Sequence, residues 1–194
     1  MSLPASHFEA LYADDPDPWA FRTRWYERRK RALLLACLPR PRFARGFEPA
    51  CANGELSIEL AQRCDELLCS DPSATAVSLA RQRLASCDHA RVCQGGLPQD
   101  WPAGRFDLVV LSELGYYLDA ESWRLACERA AASLERGAAL AACHWRHPIQ
   151  GCELAGDAVH ALLAEAMGAP ARICHLEPDF RLELWFDDNA GAAP

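Results

Sequence analysis

Basic charge is scarce in this sequence. Twenty Lys and Arg stand against 27 Asp and Glu, a net charge of −7. Nucleic-acid binders carry a basic excess or a basic face, so nucleic acid is not an expected partner. The one basic run, Arg28-Arg29-Lys30-Arg31, reads as a solvated helix face, with contact to an anionic ligand as the weaker reading. No apolar run approaches the ~20 residues that cross a bilayer, so no membrane partner is expected. The first residues, Met1 to His7, lack a basic start and an apolar signal core, and a cytoplasmic location is expected. No C-x-x-C pair occurs among the ten cysteines. That excludes zinc ribbons and thioredoxin-like redox sites, and no metal is expected. Cysteines inside runs such as Leu34-Leu35-Ala36-Cys37-Leu38 read instead as small buried hydrophobes of a reducing compartment. G-x-G-x-x-G is also absent, which argues against a nicotinamide-dependent oxidoreductase. There is no internal repeat and no low-complexity linker.

What is present is 194 residues, 51% of them hydrophobic, enough for one domain with a sizeable core. His7 to Ala13 and Thr23 to Leu38 read as helices, the second with Glu27 four residues before Arg31 and a stop at Pro39. An alternation follows. Strands are expected at 45–49, 66–70, 90–93, 106–111, 138–144, 171–175 and 180–186. Helices are expected at 55–64, 73–84 (capped by Ser73), 120–134 (ended near Gly137) and 157–167. Strands alternating with helices imply an α/β fold with a largely parallel sheet covered on both faces. Ligands of such sheets bind beyond the carboxyl ends of the strands, so functional residues should follow each strand.

The first strand runs into a small-residue turn, Glu48-Pro49-Ala50-Cys51-Ala52-Asn53-Gly54. Asp71 ends the next strand, about 20 residues beyond the start of the turn, the spacing that sets a carboxylate on an adenosine ribose. Small residues let the turn approach a ligand, and the carboxylate accepts from ribose hydroxyls. The same spacing also occurs in α/β proteins that bind no nucleotide.

The fuller pattern resembles the class I methyltransferases. The turn is similar to their E/D-x-G-x-G-x-G loop, Asp71 matches their ribose acid, and Phe106-Asp107-Leu108-Val109-Val110-Leu111-Ser112-Glu113 matches their fourth strand. More narrowly, Asp17-Pro18-Trp19, Trp25 to Arg31, Ser112 to Leu118 and His144-Trp145-Arg146-His147-Pro148 look like the NodS type of N-methyltransferase, which modifies the amino sugar of nodulation oligosaccharides. The resemblance implies S-adenosyl-L-methionine as cofactor and a single Rossmann-like domain. Its mostly parallel seven-stranded sheet would carry helices on both faces and an antiparallel last strand. It implies an N-terminal helical cap (residues 1–40), the methyltransferase domain (41–186) and a flexible tail (187–194).

Cofactor contacts are then expected from Glu48, Ala50, Ala52, Gly54 and Asp71, from Gly96 and Leu97 after the third strand, from Ser112, and from Trp19 and Tyr26 of the cap. A sulfonium favours aromatic neighbours. Methyl transfer to an amine needs the nitrogen unprotonated. His144 and His147 are the favoured proton acceptors because imidazole titrates near neutrality. Glu113 is a further catalytic candidate, for an amino group. Asp157 and His160 open the next helix. Tyr116 and Tyr117 are expected to form a wall for a sugar ring.

Two departures bear on cofactor binding. Ala50 and Ala52 stand where the family has glycines, and alanine is expected to hold negative φ there and move the loop outward. The acid that family members carry near Gly96 is missing. The expected function is methylation of a small-molecule acceptor, an amine or amino sugar. The alternative is a methyltransferase fold with weakened cofactor binding that serves as a binding or scaffold protein.

Overall fold

The computed structural model describes residues 2–187. The expected tail lies outside the described residues from position 188 onward. Seven strands, β1 (Phe43–Pro49), β2 (Cys64–Asp71), β3 (Ala90–Gln94), β4 (Phe106–Ser112), β5 (Leu134–Trp145), β6 (Ile173–Leu176) and β7 (Phe180–Phe186), form one sheet in the order β3-β2-β1-β4-β5-β7-β6. Strands β1 to β5 pair in parallel, and β7 runs antiparallel to both β5 and β6. The helices are α1 (Ala5–Asp14), α2 (Trp25–Cys37), α3 (Ser57–Ala61), α4 (Ala74–Arg83), α5 (Ala120–Ser133) and α6 (Gly156–Met167), with a 3-10 turn at Gly115–Tyr117.

Strand β4 shows why the sheet sits in the middle. Phe106 to Leu111 are all buried, and side chains alternate between faces. Leu108 and Val110 join the core beneath α2, α3 and α4, whereas Val109 and Leu111 join the core beneath α5 and α6. Asp107 in the same strand is structural: its carboxylate accepts from Ala44 N (2.8 Å) and Arg45 N (2.7 Å), tying the start of β1 to β4. The strand order reverses between β1 and β4, and the crevice beyond their carboxyl ends is where ligands of such sheets bind.

Three local expectations are corrected. The helix expected to reach Cys64 stops at Ala61, and Cys64 opens β2 because its thiol packs against Gly46, where a Cβ would lie 2.7 Å from Sγ. Gly137 does not end α5. The helix stops at Ser133, and Gly137 (φ 75°) lies inside β5 where the register slips: Phe106 pairs with Leu134 but Leu108 with Ala139. Glu27 pairs with Lys30 rather than Arg31, and Arg31 turns to Glu59 and the Phe21 carbonyl. The Ser73 cap holds, its side chain accepting from Ala76 N.

Helix α1 lies across the ligand end of the sheet. Tyr12 is its one buried residue, and Glu9 accepts from Thr75 Oγ1 at 2.7 Å on α4.

Candidate functional site

The loop after β1 does not relax to negative φ. Ala50 (φ 54°) and Ala52 (φ 52°) both occupy the left-handed region, followed by Gly54 (φ 82°). Each alanine there costs roughly 1–2 kcal/mol, and the surroundings hold the loop in place. Cys51 N donates to the Ser70 carbonyl (3.0 Å), and Ala52 N donates to Asp71 Oδ2 (3.0 Å). The outward shift expected for alanine is therefore corrected: the loop keeps a glycine-like course. Gly54 stands off the cavity, its Cα hydrogen face against α4, where a Cβ would sit 3.1 Å from Ala80 Cα.

Asp71 ends β2. Its Oδ1 accepts from Ser73 N (2.9 Å) and its Oδ2 from Ala52 N, which leaves further lone pairs for a ligand. Burial pushes its carboxyl up to about 6, against the pull of those two N–H groups. Glu48, wholly buried at the end of β1, is pushed up to about 7 by the same desolvation. At the β3 loop, Gly96 N donates to Asp100 Oδ2 at 2.9 Å. Asp100 thus brings a carboxylate beside Gly96 on the same cavity wall.

The other end of the cavity holds a buried charge cluster. Lys30 Nζ lies 2.6 Å from Glu113 Oε1 and 2.8 Å from Glu27 Oε2, with the Tyr26 ring 5.0 Å away. Burial alone would depress the ammonium, but the Glu113 and Glu27 carboxylates outweigh it and hold Lys30 above its ordinary value. Glu113 Oε2 accepts from the Tyr116 hydroxyl and from Trp145 N (3.1 Å). Its backbone is left-handed (φ 57°), a strain of the kind that gathers at functional sites. The expectation that the basic run is a solvated face fails at Lys30, which is 5% exposed.

These two ends belong to one cavity of about 1000 Å³. Of the residues expected at the cofactor, Glu48, Ala50, Ala52, Asp71, Gly96, Leu97, Ser112, Trp19 and Tyr26 all line it. Glu113, Tyr116 and Tyr117 line it as well. His144 and His147 are not brought to it. His144 is fully buried behind the wall with both ring nitrogens engaged, Nε2 by Gly115 N and Nδ1 by His160. His147 lies at the surface, its Nε2 3.0 Å from Asp179 Oδ1. Asp157 is held in a surface ion pair with Arg146 at 2.9 Å. Glu27, Lys30, Tyr12 and Asp100 also line the cavity, a place the sequence did not assign to them. The stripe Tyr26, Glu27, Lys30, Leu34 on one face of α2 was the available signal.

A family model described as a methyltransferase domain matches residues 47–137. A crystal structure of a Pseudomonas syringae protein assigned as a methyltransferase is 55% identical, covers 84% of this chain and all of that one, and superposes with a TM-score of 0.75. The N-methyltransferase NodS of Bradyrhizobium japonicum WM9, solved with S-adenosyl-L-homocysteine, is 25% identical over 95% of this chain and 98% of that one, with a TM-score of 0.82. Nodulation protein S of Rhizobium tropici is 32% identical over 118 residues, 60% of this chain and 49% of that protein. The chain therefore spans about half the length of the curated relatives it matches. With the Rossmann-like sheet, the loop held against Asp71 and these likenesses together, the chain belongs to the class I S-adenosylmethionine-dependent methyltransferases.

Proposed function

We propose that this chain methylates the nitrogen of a small-molecule amine, with an amino sugar as the leading class of acceptor. The observation that carries the reading is the cluster of Glu27, Lys30 and Glu113 on the cavity wall. Two carboxylates against one ammonium leave a local excess of negative charge, which favours an amine. Glu113 already accepts from Lys30, Tyr116 and Trp145. Glu27 is held only through Oε2, so among the described residues its Oε1 is left for the acceptor. The likeness to NodS, an N-methyltransferase, points the same way.

The residues present fit the cofactor. Asp71 has lone pairs toward ribose hydroxyls. Asp100 stands at the place of the absent acid. Asn53 Oδ1 and Tyr26 Oη are buried polar atoms without partners among the described residues, beside the cavity. When bound, S-adenosylmethionine supplies an electrophilic methyl group on a sulfonium sulfur. The protein's share is alignment. Glu48, Ala50, Ala52, Gly96, Leu97 and Ser112 shape the cofactor end, Trp19 and Tyr26 offer aromatic faces to a cation, and Tyr116 and Tyr117 wall the acceptor. Glu27 holds the amine and takes the proton the nitrogen gives up. On this reading Glu27 takes the role first expected of His144, His147 and Glu113.

The scaffold alternative rested on Ala50, Ala52 and Gly96. It loses its support where both alanines keep the glycine-like course and Asp100 stands beside Gly96. Calorimetric titration with S-adenosylhomocysteine, beside an Asp71→Ala control, tests the cofactor end. A radiolabelled methyl-transfer screen of amines against matched alcohols tests the acceptor. Micromolar binding lost in the control, with label passing to amines, is expected. Absence of binding at millimolar ligand would return the scaffold reading.

A further inference from the structure

The neighbours of His144 decide where its proton lies. Its Nε2 is 3.2 Å from the backbone nitrogen of Gly115, a group that can only donate. Nε2 therefore accepts and carries no hydrogen. Burial first, then His160 and Lys30, hold the ring well below the ordinary imidazole range, so it is neutral. Its single proton must then sit on Nδ1, 3.2 Å from His160 Nε2. His160 accepts on Nε2 and donates from Nδ1 to Glu183 Oε2 at 2.7 Å. Arg181 completes Glu183 at 2.6 Å. The reverse polarity would set a His144 N–H against the Gly115 N–H with no acceptor between them. His144 and His160 are 0% exposed and Glu183 is 5% exposed, so water has no place in the chain.

The receiving end of this chain is the turn that carries the aromatic wall. Gly115 opens that turn where α6 presses closely: a Cβ would lie 2.4 Å from Val159 Cγ1 and 3.0 Å from the Trp123 ring. Only a bare backbone lets the amide reach the imidazole there. Tyr116 packs edge-on against His144 with ring centres 5.7 Å apart, and its hydroxyl holds Glu113. Strand β7, helix α6 and strand β5 each contribute one link.

We infer that His160 and Glu183, acting through His144, are positioning residues for the acceptor wall: a one-way hydrogen-bond chain, Gly115 N–H to His144 to His160 to Glu183, with both rings in the Nδ1–H tautomer, fixes the Gly115–Tyr117 turn. The inference rests on the reading above only in taking Tyr116 and Tyr117 as that wall.

Long-range proton–nitrogen spectra of histidine-labelled wild-type protein at neutral pH test it directly. Both rings are expected to show a protonated Nδ1 and a bare Nε2, with nitrogen–nitrogen coupling across Gly115 and His144. An Nε2–H tautomer or an imidazolium at either position overturns the inference. In His160→Leu, the Nδ1–H of His144 loses its acceptor, the ring is no longer held in place, and the Gly115 amide exchanges about tenfold faster relative to Val109, the loss of one buried bond. Unchanged Gly115 protection in that variant overturns the positioning role. Glu183→Gln keeps an acceptor for His160 and is expected to retain both tautomers. If Glu183→Gln loses them, the chain does not end as assigned. Wild-type protein that shows both tautomers but ignores S-adenosylhomocysteine supports the chain while sinking the methyltransferase reading.

Discussion

Ala52 donates its backbone N–H to Asp71 Oδ2 at 3.0 Å, so the loop after β1 and the acid after β2 form one unit. Asp71→Ala is therefore expected to do two things. It removes the ribose acceptor and frees a loop held in left-handed geometry. Affinity for S-adenosylhomocysteine should fall by about a hundredfold or more, the loss of a charged hydrogen bond plus loop order. Calorimetry reads this, and unchanged affinity would remove Asp71 from the site.

The same carboxyl gives the site a pH dependence. Asp71 is raised to about 6 and Glu48 to about 7, both chiefly by burial. A carboxyl raised on folding binds its proton more tightly in the native state. Its stability contribution is full below the unfolded value and is lost as pH climbs through the folded one. Ligand-free protein is thus expected to lose stability from these two groups between pH ~4 and ~7, roughly 3 kcal/mol from Glu48. Ligand affinity should move oppositely, rising through pH ~6 as Asp71 ionises. Urea midpoints and titrations across this range check both slopes. Slopes of equal sign would contradict the assignment.

Ala50→Gly and Ala52→Gly relieve the left-handed strain, against the greater entropy that glycine loses on folding. A net gain of up to about 1 kcal/mol each is expected, a rise in Tm of roughly 2–4 °C for a chain of this size. A fall in Tm would mean the alanine methyl groups pack favourably.

Removing the ammonium of Lys30 as Lys30→Met leaves Glu27 and Glu113 as buried like charges. A loss of about 3–5 kcal/mol is expected at neutral pH. Urea midpoints of the two proteins check this, and a Lys30→Met variant as stable as wild type would show that the ammonium does not hold the cluster together.

Asp100→Ala should weaken S-adenosylhomocysteine by about tenfold to a hundredfold if Asp100 replaces the acid missing at Gly96. Equal affinity in the variant would confine Asp100 to holding the Gly96 amide.

The middle of the sheet was legible because β4 and the second half of β5 are apolar runs, and α4 because it carries a side-chain cap. Phe106–Leu111 reads as a buried strand by composition alone, and Ser73 caps α4 as its residue type demands. Asp71 was legible by spacing. Other features depend on tertiary neighbours. Position 64 reads as the last turn of a helix until Gly46 makes room for its thiol in the sheet. Lys30 sits in a run of four basic residues, and only the packing of α2 tells which one turns inward. His144 was expected at the end of a strand, where catalytic residues stand, but β5 runs on to Trp145 and its alternation turns His144 away from the cavity. Local sequence also gives no hint that Asp100 folds back onto Gly96.

Helix α1 walls the cavity with one buried side chain, Tyr12, ring contacts of Phe8 with Tyr117 and of Tyr12 with Trp19, and a polar link from Glu9 to Thr75. An element so fastened detaches far more often than the molecule unfolds. Opening of α1 alone would uncover the cavity while the sheet stays folded, so the amides of α1 are expected to exchange faster than those of β4 and to gain protection when the cavity is filled.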